Sequence, residues 1–439
     1  MSEFLNSLGL ASIFQTGTRT TINSAIDYMT GLLALNHNKN MSEMSKKTGC
    51  ETTAHSFSYF LSGAIWSYEE LCKIIRIFIL NTFDLNEIIF TLDESGIPKS
   101  GNSSVGSARQ YCGNSGKVDL CQVGVFLGIQ WKNIRLIFDY RLYLPEDKAS
   151  DITYSQKFGI PLEKMIFKKK CDLALEMIDS LKNEGIQIKK IVMDGFYGVD
   201  SHFLSALDER EIIFVADIAC TTQVYISKPE LYLPERKGSR GPMPSKLRVS
   251  TEAFKVGDLS HDKKGWERIE IRATERGYKY VWMKSFRVWR RENEMPVEKP
   301  LWLIMSYDEN GKKMKYSYCN LPLTESNENL VYLQSSRYWI ERTFQDAKGM
   351  CGMSDLRGRS WNSWHRHMAL VMAALAFLNS YYLDLIQQNI AIRITGILKI
   401  FKFHYPLKKL TSEDVANSIN DETASARSSR NSRLKNTEI

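Results

Sequence analysis

The stretch Glu87-Ile-Ile-Phe-Thr-Leu-Asp93 decides the fold class, because it is an apolar run of β-forming residues that ends in a carboxylate. Ile188-Lys-Lys-Ile-Val-Met-Asp194 has the same form later in the chain. Functional groups collect where the strands of an α/β sheet meet loops, so we expect Asp93 and Asp194 there. Two neighbouring carboxylates repel each other unless a divalent cation neutralises them. A strand-terminal Asp also commonly caps a turn or a helix, and for either residue alone this alternative stays open.

The segments around these two strands predict the architecture. Further strands are expected at 119–128, 134–144 and 212–217, and helices at 171–183 and 201–209. The order βββαβαβ is typical of an α/β fold with a mixed sheet, here of five strands. In that order, the strands that end at Asp93 and Asp194 are neighbours.

Composition divides the chain into five predicted parts. They are a helical N-terminal DNA-binding region (1–86), the first part of the core (87–219), a basic β-rich insertion (220–330), the second part of the core (331–410) and a disordered tail (411–439). In the first part, Met41 to Phe60 has the outline of a helix-turn-helix with its turn at Thr48-Gly49-Cys50. A plain helical hairpin explains the same pattern equally well.

The segment Gln334-Ser-Ser-Arg-Tyr-Trp-Ile-Glu-Arg-Thr-Phe-Gln-Asp-Ala-Lys348 predicts a third functional element. On one continuous helix from about 331 to 348, Arg337, Glu341 and Lys348 share a narrow face. The carboxylate would complete a metal site, and the two cations would grip phosphate. Taken alone, the helix is explained more simply by an i,i+4 ion pair between Arg337 and Glu341.

With these residues the chain resembles the DDE transposases of bacterial insertion sequences, specifically the cut-and-paste group that has a Tyr-x2-Arg-x3-Glu-x6-Lys helix. Arg337, Glu341 and Lys348 match that motif, whereas Gln334 stands at the Tyr position. Several further blocks, over roughly 20–390, are similar to the subgroup described as DDE endonucleases. They are Leu92-Asp-Glu-Ser-Gly-Ile-Pro-Lys99, Ala108-Arg-Gln-Tyr-Cys-Gly113, Gly116-Lys-Val-Asp119, Cys121-Gln-Val-Gly-Val-Phe126, Leu142-Tyr-Leu-Pro145 and Trp361-Asn-Ser-Trp-His-Arg-His367.

The resemblance implies a ribonuclease-H-like core in which Asp93, Asp194 and Glu341 form the catalytic, metal-binding triad. The implied cofactor is Mg²⁺, with Mn²⁺ as the alternative. The implied partners are double-stranded DNA, as element ends and as target, and a second copy of the chain on paired ends. Strand alternation excludes Glu94 from the triad. Either Tyr332 or Tyr338 is placed to substitute for the missing Tyr of the motif.

Basic residues outside the triad are a second set of expected DNA contacts, joining Arg337 and Lys348. They are Lys99, Arg109 and Lys117, in a glycine-rich segment expected to be a loop near the active site, and Arg236, Lys237, Arg240, Lys246 and Arg248, in a loop of the insertion. Residues 228–292 hold 17 Lys and Arg against 9 Asp and Glu, which accounts for the whole net charge of +8. A module that clamps the phosphate backbone needs such a concentration. The same region contains Trp266, Trp282, Trp289 and Trp302, which suit either a β core or stacking on an unpaired base.

The remaining composition restricts the setting. The eight Cys form no C-x-x-C pair and follow no secretory leader, so we expect reduced thiols in a bacterial cytoplasm, with the protein on the nucleoid when it is bound to DNA. No run of 18 uncharged apolar residues occurs, so we expect no membrane partner.

Two other functions fit the same residues. A stand-alone ribonuclease-H-like nuclease would share the metal site but not the joining of strands. A catalytically silent, transposase-derived DNA-binding protein would keep only the fold. The insertion and the helical N-terminal region argue against the first, and the intact triad argues against the second.

Overall fold

The computed structural model describes residues 1–16, 18–235, 244–274, 277–311, 313–322 and 324–408, and the isolated positions 411, 412, 423 and 427. The chain forms two compact units. The helical unit contains Met1–Tyr68, Lys348–Gly358 and Asn362–Ile439, and the sheet unit contains Glu69–Ala347 and Arg359–Trp361. Most of the expected tail lies outside the described residues.

The described α-helices occur in both units and range in length from 4 to 27 residues. They are α1 (Ser2–Ser7), α2 (Ile22–Ala34), α3 (Met41–Lys47), α4 (Ala54–Ser62), α5 (Tyr68–Thr82), α6 (Glu146–Ala149), α7 (Ile152–Phe158), α8 (Lys170–Asn183), α9 (Gly195–Gly198), α10 (Ser201–Glu209), α11 (Val256–Leu259), α12 (Asn327–Ser336), α13 (Tyr338–Cys351), α14 (Trp361–Gln387) and α15 (Ile394–His404), with 3-10 turns at Leu10–Ser12 and Leu162–Lys164.

The strands fall into one large sheet and two small hairpins. They are β1 (Gln15–Thr16), β2 (Arg19–Thr20), β3 (Ile89–Pro98), β4 (Ala108–Cys112), β5 (Lys117–Trp131), β6 (Ile134–Leu142), β7 (Lys190–Met193), β8 (Ile213–Asp217), β9 (Gln223–Tyr225), β10 (Leu231–Tyr232), β11 (Arg248–Val249), β12 (Phe254–Lys255), β13 (Glu267–Thr274), β14 (Gly277–Glu292), β15 (Met295–Pro296), β16 (Leu301–Asp308) and β17 (Lys315–Cys319). β1 pairs with β2 and β10 with β11, and the others form a thirteen-stranded sheet.

The large sheet confirms the predicted mixed α/β, ribonuclease-H-like fold. Its order is β12-β9-β14-β16-β17-β8-β7-β3-β5-β4, with β13 and β15 on β14 and β6 on β5. The central pairs β3–β7 and β7–β8 are parallel, and the other pairs are antiparallel. The sheet has thirteen strands instead of the five predicted, because β17 pairs with β8 and joins the insertion to the same sheet. Without β17, β8 would present an unpaired edge, which proteins usually cover.

Two local predictions also differ from the structure. The segment expected to be a loop between Lys99 and Lys117 contains β4, because Ala108–Cys112 pairs with the beginning of β5. Asp93 does not end its strand. β3 continues to Pro98, because residues 94–98 keep pairing with β5 after β7 has ended on the other side.

The core places α12 and α13 against the parallel strands. Ile89, Val192 and Val215 of β3, β7 and β8 share one buried cluster with Leu330 and Leu333 of α12, among others. Gly128 of β5 makes room for α13, since a Cβ atom there would lie 2.7 Å from Ile340 Cδ1. This close approach fixes α13 against the sheet next to Glu341, the residue after Ile340.

The helical unit contains the predicted pair of helices. α3 and α4 begin at the capping side chains of Asn40 and Thr53, and Gly49 between them has φ +68°, which favours glycine. α4 buries Phe57 and Phe60, while Tyr59 is 54% exposed. Both the helix-turn-helix and the plain hairpin interpretation agree with this geometry.

The long helix α14 lies in the interior of the helical unit. Its length and composition would let Trp361–Gln387 cross a membrane, but 61% of its most apolar window is buried, which is the setting of a core helix. Arg366 is buried and donates to the carbonyl oxygens of Ala64 (2.6 Å) and Trp66 (2.9 Å). His367 Nδ1 is 2.8 Å from the Tyr28 hydroxyl. These side chains pack the unit.

Candidate active site

Three aspartates stand at one level of the parallel strands. The residues just before Asp93, Asp194 and Asp217 are paired in register across β3, β7 and β8. Asp93 is internal to β3, Asp194 follows β7, and Asp217 ends β8. Side chains at one level of adjacent parallel strands point to the same face of the sheet. The fold therefore places three carboxylates that lie far apart in the sequence at one level of adjacent strands.

Burial and mutual repulsion make this gathering of negative charge costly. Burial, with the charges of Asp194 and Glu94, raises the pKa of Asp93 to about 8. Burial and then the charge of Glu94 also raise the pKa of Asp194. Asp194 Oδ1 accepts the Phe196 amide (3.0 Å) and caps α9, so the capping alternative is confirmed for this residue, and its functional interpretation stays a prediction. A divalent cation would relieve the repulsion that remains.

Glu94 lies beside this pair but is engaged elsewhere. Its Oε1 accepts from Lys170 Nζ at 2.6 Å, and its Oε2 accepts from the Tyr197 hydroxyl at 3.4 Å. Alternation along β3 places Glu94 and Asp93 on opposite faces. Glu94 therefore acts on the aspartates through its charge, and its exclusion from the triad stays a prediction.

The helix that was predicted to be continuous from 331 to 348 is divided at Arg337 into α12 and α13. The hydroxyls of Ser335 and Ser336 both donate to the carbonyl of Tyr332, at 2.8 and 2.9 Å. Serine side chains that bond to the preceding turn in this way disturb a helix. The Ile340 amide then bonds to Arg337 O at 3.3 Å, a tighter i→i+3 contact.

Arg337 stands between two carboxylates at this break. Its Nη2 donates to Glu341 Oε1 at 2.7 Å, which is the expected i,i+4 pair. Its Nε lies 2.8 Å from Asp217 Oδ2, a close ion pair without an aligned hydrogen bond. Only 18% of the Arg337 side chain is exposed, against 52% for Glu341. Arg337 is thus buried against Asp217, and Glu341 faces solvent.

Asp93 and Asp194 are brought together, but Glu341 is not. Among the residues that the structure describes, no three His, Cys, Asp or Glu side chains converge closely enough to hold a metal ion. Mg²⁺ is usually held by one or two carboxylates, with waters and substrate phosphates as its other ligands. The repelling pair of Asp93 and Asp194 fits that requirement, with Glu341 held aside by Arg337.

A basic cleft of about 630 Å³ opens beside Glu341. Its cationic side chains are Arg272, Lys279, Lys313, Lys315 and Arg337. Burial, followed by neighbouring charges that include Arg272 and Lys315, lowers the pKa of Lys279. Burial also lowers the pKa of Lys315. Cations crowded in this way bind an anion favourably, because a phosphate removes their mutual repulsion.

Aromatic rings line the same cleft. The Arg272 guanidinium lies 4.6 Å from the centroid of Tyr338. Tyr307 is flanked by Trp266 at 4.8 Å and Trp282 at 6.4 Å between ring centroids. All four Trp of the insertion are half-buried, and Trp302 donates its indole N–H to Pro322 O at 3.0 Å. This agrees with a mainly structural role for these rings.

Two of the other expected DNA contacts lie away from the aspartates. Arg109 and Lys117 are exposed on the β4–β5 hairpin. Asp93 pairs with Phe126 of β5, and Arg109 pairs with Leu120 of the same strand. These two positions on β5 are six residues apart, which corresponds to about 20 Å along the strand.

The remaining basic candidates are spread over several elements. Lys99 is half-buried, and burial lowers its pKa to about 8. Lys348 lies on α13, and Lys246 and Arg248 are exposed. Arg236, Lys237 and Arg240 lie outside the described residues.

Two groups were missed in the sequence. Asp217 had a local signal, since Ile212-Ile-Phe-Val-Ala-Asp217 is a third apolar run that ends in Asp. The cleft lysines had none, because Lys279, Lys313 and Lys315 meet only through the pairing of β14, β16 and β17.

Comparison with known proteins gives two matches. A sequence model of the family described as DDE superfamily endonuclease matches residues 5–278, more than half of the chain. That range includes Asp93, Asp194 and Asp217, and it ends before Arg337. A protein of Microchaete diplosiphon described as a probable transposase for insertion sequence element IS701 is 26% identical over 194 residues, 43% of this chain and 46% of that protein. The chain therefore spans about half the length of that relative.

Proposed function

The chain belongs to the DDE superfamily endonucleases, and on that basis we propose that it is a transposase that cleaves insertion-sequence ends and joins the freed 3′ hydroxyl to target DNA. Endonucleases of this superfamily act on DNA with divalent metals. The observation that carries the proposal is the half-buried pair of Asp93, within β3, and Asp194, directly after β7, at one level of these two paired strands.

We propose that Asp93 and Asp194 hold Mg²⁺, or Mn²⁺ in its place, and that Glu341 completes the ligand set. Bound ions of this kind activate a water or a 3′ hydroxyl and stabilise the leaving oxygen of a phosphodiester. Glu341 is exposed, and the contact from Arg337 is to its Oε1, so we propose that Oε2 is the oxygen that binds the metal when DNA is in place.

The cleft beside Glu341 is the proposed seat of the DNA strand. Its cations would bind backbone phosphates and so position the scissile bond at Asp93 and Asp194. Tyr338 and Gln334 both line this cleft, but Gln334 is only 2% exposed, so Tyr338 is our candidate for the Tyr of the family motif. Lys348 would contact a further phosphate.

Contacts with the DNA duplex are proposed further from the chemistry. Arg109 is about 20 Å from the level of Asp93 along β5, which is roughly six base pairs at ~3.4 Å each. Arg109 and Lys117, with Lys246 and Arg248 of the insertion, would hold the phosphates of an element end. The exposed side of α4 is a candidate for its sequence-specific contacts.

The proposal is tested with Asp194→Ala and a matched Asp151→Ala control. Each substitution removes a side chain that caps a short helix, because Asp151 Oδ1 accepts the Tyr154 amide at 3.0 Å. We expect Asp194→Ala to abolish Mg²⁺-dependent cleavage of end DNA and to leave DNA binding in place. Asp151→Ala should cleave normally. EDTA should stop cleavage by wild type and by Asp151→Ala. Cleavage by the Asp194→Ala protein would rule out the assigned site.

A strand-transfer assay separates the remaining functions. A transposase joins a pre-cleaved end to plasmid DNA, a simple nuclease cuts without joining, and a silent derivative does neither. We also propose that two copies act on paired ends, so sedimentation of the complex with end DNA should give a protein dimer. A monomer that joins ends efficiently would contradict this.

A further inference from the structure

A buried polar chain begins inside the sheet and leads toward the active site. The Ser306 hydroxyl donates to Gln334 Oε1 at 2.5 Å, and Gln334 Nε2 donates to Ser317 Oγ at 2.9 Å. The Ser317 hydroxyl donates in turn to Asp217 Oδ1 at 2.6 Å. Ser306, Gln334 and Ser317 are at most 4% exposed. Polar groups this deeply buried require partners, and each of these side chains supplies one for the next.

The chain continues from Asp217 to the third carboxylate of the triad. Asp217 Oδ2 lies 2.8 Å from Arg337 Nε, and Arg337 Nη2 donates to Glu341 Oε1 at 2.7 Å. The side chains of Asp217 and Arg337 are 21% and 18% exposed, and that of Glu341 at the end of the path is 52% exposed. The contacts therefore connect the rigid interior of the sheet with an exposed carboxylate on α13.

Asp217 is better suited to hold Arg337 than to bind a metal. Its level in the sheet is that of Asp93 and Asp194, but both of its oxygens are occupied, one by Ser317 and one by Arg337. Arg337 is largely buried, and a buried guanidinium without its carboxylate would be costly. Fixed in this way, the guanidinium presents its Nη2 toward Glu341.

We propose that Asp217 is a positioning residue that fixes Arg337, and through Arg337 the third carboxylate Glu341, with Ser317 and Gln334 as its support. This inference rests on the proposed function, because it assigns a role in that same site. It also gives the residue at the family's Tyr position a different task, since Gln334 here lies inside the protein and holds the support together.

The test compares Asp217→Asn with wild type in single-turnover cleavage of end DNA at saturating DNA and Mg²⁺. Loss of a side chain that orients an active-site group typically costs 10- to 100-fold, so we expect a fall of about that size. The dissociation constant for end DNA should stay within about twofold, because this role concerns orientation. A weakened affinity with an unchanged rate at saturation would overturn the inference.

A double substitution shows whether Asp217 acts through Arg337. We expect Asp217→Asn combined with Arg337→Gln to be no slower than Arg337→Gln alone, because the anchor has no effect once the guanidinium is gone. A merely structural role would instead make the two losses multiply. Multiplying losses, or wild-type cleavage by Asp217→Asn, would overturn the proposal.

A conservative pair of serine variants keeps the test independent of folding defects. Ser317→Ala removes a hydroxyl that belongs to the buried polar chain. Ser285→Ala removes a hydroxyl outside it, which donates to Asn327 Oδ1 at 2.7 Å, on the helix α12 that also carries Gln334. We expect slower cleavage only in Ser317→Ala, and equal losses in the two would contradict the chain.

A second measurement separates this inference from the proposed function. If wild type cleaved no end DNA, the proposed function would fail. The buried polar chain from Ser306 to Glu341 would then be tested by urea unfolding. Asp217→Asn and Arg337→Gln should then be non-additive in stability, and additive effects would overturn the chain itself.

Discussion

A negative charge on Asp93 is unfavourable in the protein without metal. Asp93 is half-buried beside Asp194 and Glu94, and burial together with these charges raises its pKa to about 8. We expect Asp93→Asn without metal to unfold at a higher temperature than wild type and to be more stable by about 1 kcal/mol or more, because the amide carries no charge that burial and repulsion would oppose. Mg²⁺ at about 100 times its Kd should stabilise wild type by about 2.7 kcal/mol and the variant hardly at all.

Thermal melts with and without Mg²⁺ check this prediction. Asp151→Asn, which keeps the cap of α7, is the control and should respond to Mg²⁺ as wild type does. An Asp93→Asn protein that gained as much stability from Mg²⁺ as wild type would remove Asp93 from the ligand set.

Lys39 of the helical unit provides a pH-dependent prediction. It is 2% exposed, and its Nζ donates to Leu32 O at 2.7 Å and to Met350 O. Burial lowers its pKa to about 8, below the usual 10.5, so between these values the unfolded chain binds more protons than the folded one. The free energy of unfolding should therefore gain up to about 1.4 kcal/mol per pH unit from Lys39 as pH rises from 8 to 10.5.

Urea unfolding at several pH values measures that gain. In Lys39→Met the slope should be missing, and at pH 7 the lost hydrogen bonds should cost about 1–3 kcal/mol. The exposed Lys399→Met on α15 serves as control and should keep the wild-type slope. Equal slopes in wild type and Lys39→Met would contradict the prediction.

At the scale of elements, the approach of α13 to the sheet depends on Gly128. A Cβ atom there would lie 2.7 Å from both Ile340 Cδ1 and Thr91 Oγ1, so in Gly128→Ala these side chains must shift, and α13 with them where the core leaves no room. We expect a loss of about 1–3 kcal/mol in stability, and a larger effect on cleavage than on DNA binding, because Glu341 follows Ile340. Denaturation and cleavage assays on one preparation test this.

Gly349 on the same helix is the matched control. A Cβ atom there meets nothing within 4 Å, so Gly349→Ala should be neutral or stabilise by up to about 1 kcal/mol. If both alanine variants behaved alike, the close approach at Gly128 would not be what positions α13.

For the whole molecule, charge is concentrated in one segment. Residues 228–292 carry the entire net charge of +8. We expect neutralisation of Arg236, Lys237, Arg240, Lys246 and Arg248 to flatten the plot of log K for DNA binding against log salt, by about 0.9 for each lost phosphate contact. Binding titrations at several salt concentrations measure the slope.

The control removes the same number of charges elsewhere. Lys73, Lys132, Lys157, Lys182 and Lys399 are exposed and lie outside that segment. Their neutralisation should leave the slope nearly unchanged, and a variant of the basic segment with the wild-type slope would place the DNA path elsewhere.

The sequence by itself determined the features that depend on local patterns. Three features were recognisable: the apolar runs ending at Asp93 and Asp194, the helical character around Glu341, and the two helices around Gly49. Side-chain periodicity and turn residues act over a few positions, whereas the break at Arg337 was not recognised. The mixed α/β class followed from the order of those elements.

Only the tertiary structure decided what those elements do together. β17 pairs with β8 and so carries Ser317 to Asp217, residues one hundred positions apart. That pairing turns the insertion into part of the main sheet and creates the cleft. It also turns Arg337 from one half of a helical ion pair into a link between two carboxylates. Such contacts depend on which strand covers a free edge and which polar groups are buried together, and neither is encoded in any one segment.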